Sequence, residues 1–164
     1  MLERSSRIIA LIFIAVLCLL TFGAGTASAA VTNMRSQSKT VGNCTGTATV
    51  VSMTSLSQTG IPIVGRGYVN CTKLHTVITI QVVLKVNTVV WTKTGILKYS
   101  NALATGAHST GQFPLQACQS FQTVTNFTVD GAAWYVTSGS PKQICANQLV
   151  TGGVLYWQLI TPPG

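Results

Sequence analysis

Apolar and polar residues alternate along most of this chain. Residues 76–86 (TVITIQVVLKV) put Ile78, Ile80, Val82, Leu84 and Val86 on one face, and Val77, Thr79, Gln81, Val83 and Lys85 on the other. A period of two predicts a strand with one buried face. Residues 89–98 (VVWTKTGILK) follow directly after Asn87-Thr88, which predicts a hairpin between the two runs. Residues 120–129 alternate again, with Phe121, Thr123, Thr125, Phe127 and Val129 on one side. Further strands are predicted over 133–137 and 154–160, and a paired set over 46–53 and 63–70. Nothing after the first thirty residues carries a helical period.

Turn-forming composition marks the connections. Residues 99–111 (YSNALATGAHSTG) read as the longest loop, with shorter ones at 138–141 and 151–153 and a frayed tail at 161–164. Short strands separated by turns predict an all-β fold, an antiparallel β-sandwich. Immunoglobulin-like topology is one version of it, although no Cys…Trp…Cys core pattern is present.

The first residues differ in kind. Arg4 and Arg7 precede an apolar run over 8–22, and a small-residue tract ends in Ala27-Ser28-Ala29. The run is shorter than the roughly 20 residues that span a membrane as a helix. Basic start, short apolar run and A-x-A site together form the pattern of a cleaved secretory signal. The expected division is a signal helix over 1–29, cut after Ala29 or Ala30, and one domain over 30–164. No membrane span is expected in the mature chain.

Export sends the four remaining cysteines into an oxidising compartment. Cys44 to Cys71 and Cys118 to Cys145 span equal intervals. Paired residues in an antiparallel hairpin have a constant sum of residue numbers. The first pair is centred between Ser57 and Gln58, inside a polar stretch; the second falls beside Asp130-Gly131, a strong hairpin marker. The expected bridges are therefore 44–71 and 118–145, with 71–118 and 44–145 as the alternative pairing. No C-x-x-C occurs, so metal or redox roles for these cysteines rank low. The Asn-Cys-Thr repeat at 43–45 and 70–72 hints at duplicated hairpins, but its flanks do not align. Sequons at Asn43, Asn70 and Asn126 matter only in a host that glycosylates its exports.

Charge then narrows the partners. The full chain carries +8; without Glu3, Arg4 and Arg7 the domain has eight bases against Asp130 alone, or +7. Such a surface favours an anionic cell-wall polymer, a polysaccharide or an extracellular protein. The bases are scattered, so no dedicated nucleic-acid motif is visible. With one carboxylate, paired acid–base chemistry is excluded. A Ser-His-Asp site would need Asp130 with His75 or His108, yet neither histidine lies in a catalytic motif, and both read as ordinary surface or loop residues. No cofactor or metal motif is present.

Aromatics are the better lead: Tyr68, Trp91, Tyr99, Trp134, Tyr135, Tyr156 and Trp157 can build a stacking platform for sugar rings or protein side chains, with Trp91 beside Lys93 and Tyr99 beside Lys98. The candidate binding residues are Arg66, Trp91, Lys93, Lys98, Tyr99 and His108. The expected function is a secreted non-enzymatic binding domain for an anionic or glycan partner. The alternatives are a protein inhibitor or toxin-like effector acting through the 99–111 loop, and, well behind, a small hydrolase.

Overall fold

A computed structural model describes residues 30–54, 57–113 and 117–160. The expected signal segment over 1–29 and the tail over 161–164 lie outside the described residues. Nine strands follow in order: β1 (Ala30–Val41), β2 (Cys44–Thr54), β3 (Ile61–Val86), β4 (Val89–Lys93), β5 (Leu97–Phe113), β6 (Ala117–Val129), β7 (Ala132–Thr137), β8 (Lys142–Thr151) and β9 (Val154–Ile160). The chain is all-β, and every strand pair is antiparallel. The strands form a single sheet, curled on itself, along the path β1-β2-β3-β6-β8-β9, with β4 and β5 on β3 and β7 on β6.

β3 organises the sheet. The sequence pattern divides it into two strands, over 63–70 and 76–86, but it is one strand of 26 residues. Its first half pairs with β2 and its second half with β6, while β5 and then β4 run along the opposite edge. Between the halves the ladder with β5 jumps from Asn70↔Ala104 to His75↔Ala102, so residues 71–74 face Leu103 alone. An excess of residues on one strand bends it and raises its twist. The bend turns the first half over the second. Gly65 consequently faces Leu84 and Thr123, Gly67 faces Val82 and Thr125, and Gly46 faces Phe127 and Trp134.

The alternation sets what fills the space between. Ile78, Ile80, Val82 and Leu84 are fully buried, as are Phe121 and, almost so, Phe127. One cluster joins Val69, Ile80, Val82 and Phe127; the other joins Val50, Ile63, Leu84, Phe113, Phe121 and Trp157. Phe113 meets Phe121 edge-on, with ring centroids 5.2 Å apart. Ser57 and Trp157 exchange backbone hydrogen bonds of 2.7 and 3.2 Å, so the middle of β9's outer edge is paired.

The hairpins follow the turn chemistry. Asn87 and Thr88 both have positive φ, as do Asp130-Gly131 and Gly152-Gly153; two successive positive φ values match the right-handed twist of the flanking strands. Both expected bridges form, Cys44–Cys71 and Cys118–Cys145, each across 27 residues. Each joins residues that face one another directly in a ladder. The second hairpin departs from a simple reflection. β6 pairs Val129 with Ala132 but Phe121 with Lys142. Two extra residues enter at 138–141, which splits its returning arm into β7 and β8.

The loop expectation fails. Residues 99–111 are not a loop but most of β5, paired with β3 over almost its whole length. Small residues there answer neighbouring bulk rather than a turn. The Trp91 ring lies against Gly111, and the Tyr68 ring lies over Gly106, where a Cβ would sit 3.1 Å from it. Inward Thr105 and Ser109 are buried. A strand whose inner face must be small carries little hydrophobic signal. The expected strand over 89–98 also breaks, at 94–96, into β4 and the start of β5.

Candidate functional site

The first half of β3 and the end of β5 carry a groove of about 640 Å³ on their outer face. Alternation sends odd-numbered residues of the first half of β3 inward and turns Pro62, Arg66 and Tyr68 outward, with Val64 on the same side but buried. The ladder sets Arg66 directly opposite His108, and Tyr68 directly opposite Gly106. Arg66 and His108 are exposed, and Tyr68 is half-exposed. Gly106 lets the phenol ring lie flat across the strand, as aromatic side chains do over sheet glycines. Pro62 and Val64 give the groove an apolar end. Among the described residues the sole ion pair lies elsewhere, between His75 and Asp130. The Arg66 guanidinium thus has no carboxylate partner, and its planar fork is open to a carboxylate, sulfate or phosphate.

Of the six candidate binding residues, this groove unites two, Arg66 and His108. Trp91 is half-buried, packed on Phe121 at 5.6 Å between centroids. Tyr99 is half-buried against the core cluster around Val69 and Ile80. Lys93 and Lys98 are exposed, opposite Val83 and Thr79 on the second half of β3, away from the groove. Tyr68, named among the stacking aromatics, is the groove residue that those six lack. Its signal was available, since a tyrosine two residues from an arginine shares that arginine's strand face.

A second cluster sits where three turns meet. His75, just after the β3 bend, is buried, which corrects its reading as an ordinary surface residue. Its Nδ1 donates to Asp130 Oδ2 at 2.8 Å. Its Nε2 lies 3.0 Å from the Asn43 amide nitrogen and 3.4 Å from Cys44 Sγ. Asp130 Oδ1 accepts the Val77 N–H at 2.9 Å, and the Asp130 N–H donates to Val77 O. The Val77 N–H and then His75 hold the Asp130 carboxyl below its ordinary value of 3.8. A cavity of about 200 Å³ opens onto these groups, with Trp134 on its wall. A His–Asp pair orients an imidazole for proton transfer. Among the described residues, no hydroxyl is hydrogen-bonded to His75; the sulfur of the Cys44–Cys71 bridge stands there instead.

No protein-family model, no curated protein and no solved structure matches this chain.

Proposed function

We propose that this chain is a secreted, non-enzymatic binding module that holds an acidic polysaccharide in the groove of Arg66, Tyr68 and His108. The observation that carries the reading is the cross-strand pairing of Arg66 with His108 beside a half-exposed tyrosine ring. Sugar rings stack on aromatic faces, and a sugar carboxylate or sulfate suits the guanidinium fork. Half-buried Pro62 offers an apolar surface to the C–H face of the next ring. The surplus of basic over acidic side chains draws a polyanion in from a distance. The export pattern and two disulfides suit an extracellular workplace. The scaffold is a sandwich-like double layer made by the curl, with an immunoglobulin-like layout as one version. The inhibitor reading loses its motive, because residues 99–111 are a paired strand rather than a displayed loop.

Binding to a polyuronate, a sulfated glycan and neutral chitin, measured by calorimetry and by column retention, tests the reading. The expected result is retention on the two acidic polymers at low salt, release by salt, and about tenfold weaker binding for Arg66→Gln and for Tyr68→Ala. Undiminished binding by both variants removes the groove as the site. Equal binding to chitin removes the acidic ligand.

A further inference from the structure

The chain contains two disulfides of equal span, each joining direct cross-strand partners. Loop-closure entropy depends on span, so it stabilises the two bridges alike. Their surroundings differ. The chain has two histidines. His108 lies in the outer groove, and His75 places Nε2 3.4 Å from Cys44 Sγ. On its far side His75 is held by Asp130, the one acidic side chain among the described residues. Among the described residues, no imidazole or carboxylate is bonded to either sulfur of Cys118–Cys145.

We propose that Cys44–Cys71 is a thiol-exchange site, reached by a small external thiol through local opening and supported by His75, while Cys118–Cys145 is a structural staple. Cys71 is the sulfur attacked. It is buried, at 6% exposure against 2% for Cys44, and it begins the four-residue bulge where the β3–β5 ladder is interrupted, next to exposed Thr72, Lys73 and Leu74. Cys71 still pairs with Cys44 and the Thr72 N–H donates to Asn43 O, so a thiol reaches it by local opening on the side where the β5 ladder is broken. The external thiolate forms a bond to Cys71 Sγ. The Cys44–Cys71 bond breaks, and its electron pair remains on Cys44 Sγ. A second external thiolate attacks the external sulfur of the mixed disulfide and expels Cys71 as thiolate. Two thiols are oxidised to one external disulfide, and Cys44 and Cys71 are each reduced.

The first leaving group, Cys44, is the sulfur beside His75. An imidazolium there faces the new thiolate on one side and the Asp130 carboxylate on the other. Asn43, the remaining polar neighbour, is uncharged. A thiolate next to a cationic imidazole is stabilised. That favours the reduced form and makes the bridge more oxidising, and it speeds departure of the Cys44 sulfur.

Equilibration of the purified protein in stepped ratios of reduced to oxidised dithiothreitol, then alkylation and peptide mapping, reads each bridge separately in one molecule. Cys44–Cys71 is expected to reach half-reduction at a ratio at least about tenfold more oxidising than Cys118–Cys145, a gap of about 30 mV. His75→Gln is expected to close the gap to within about twofold. Asp130→Asn, which keeps the side-chain shape, is expected to narrow it and serves if the first variant fails to fold. A generally loosened fold would shift both bridges together and leave the gap intact. The proposal is overturned if the wild-type bridges open at the same ratio, if Cys118–Cys145 opens first, or if the folded variant keeps the full gap.

Discussion

Replacing Gly67 with alanine tests how closely the two halves of β3 approach each other. The added methyl would lie 2.6 Å from Thr125 Oγ1 and 2.9 Å from Val82 Cγ2, where unstrained contact needs about 3.5 Å or more. Neither neighbour can swing away, because both are fully buried. The Gly67 backbone is held on both edges, by Ala48 of β2 and Ala107 of β5. Overpacking at such a site costs about 1–3 kcal/mol. Alanine offsets about 0.4–1 kcal/mol of that by lowering the entropy of the unfolded chain. The net destabilisation is then about 1–2 kcal/mol. A domain of this size unfolds with an entropy of roughly 0.28 kcal/mol per kelvin, so the melting temperature should fall by about 4–7 °C. Gly95→Ala is the matched control. A Cβ there meets nothing within 4 Å, and the same gain in unfolded-state entropy should leave the melt unchanged or slightly higher. Calorimetric melts of both variants beside the wild type decide the matter. If Gly67→Ala melts together with Gly95→Ala, the close approach of the two halves of β3 is wrong.

Thr125 Oγ1 is buried without a hydrogen-bond partner, so Thr125→Val should raise stability by about 1 kcal/mol, seen as a melt higher by about 4 °C. Thr88 holds φ at 75° in the β3–β4 turn, a strained place for a β-branched residue. Thr88→Gly should raise the denaturant midpoint by the equivalent of about 0.5 kcal/mol, and a fall would refute the turn geometry. Asp130 has a carboxyl pKa lowered on folding, so it stabilises the fold above its unfolded value of 3.8 and loses that contribution as pH falls through the lower folded value. Melts from pH 7 to pH 2 should show this acid loss in the wild type and a smaller one in Asp130→Asn.

Strand content was legible wherever inward positions were large. Ile78 to Leu84 and Phe121 to Phe127 alternate cleanly because both runs face the same packed interior. β5 was illegible for the converse reason. Its inward Thr105, Ala107, Ser109 and Gly111 are small because Trp91 and neighbouring strands already occupy the space. A local pattern cannot report a side chain contributed by another strand. The bridges were legible because a hairpin is a reflection, and the cysteines mirror turns recognisable from local residues. The bend in β3 was not, since residues 71–74 carry no proline or glycine and their excess exists only relative to β5. The same limit hid the cluster of Asn43, His75 and Asp130. Asp130 announced its turn, but its second role needs Val77 and His75, more than fifty residues earlier. Arg66 and His108 were each among the candidate binding residues, and their adjacency belongs to the β3–β5 register.

The two staples should also differ in what they do for the groove. Each closes a loop of the same span, so removing either should cost a similar amount, about 3–4 kcal/mol in the chain-entropy account. Their positions are not equivalent. Cys71 lies three residues beyond Tyr68 on β3, and its bridge clamps β2 to the end of the ladder that carries Arg66 and Tyr68. Cys118–Cys145 clamps β6 to β8, neither of which lines the groove. Paired replacement of Cys44 and Cys71 by alanine should therefore weaken acidic-glycan binding by several-fold beyond its effect on stability. The same replacement at Cys118 and Cys145 should lower the melting temperature comparably and leave affinity within about twofold, provided binding is measured well below both melts. Equal loss of affinity in the two double variants would mean that the groove depends on global stability. Unchanged affinity in both would mean that the β3–β5 ribbon holds Arg66, Tyr68 and His108 in register without β2.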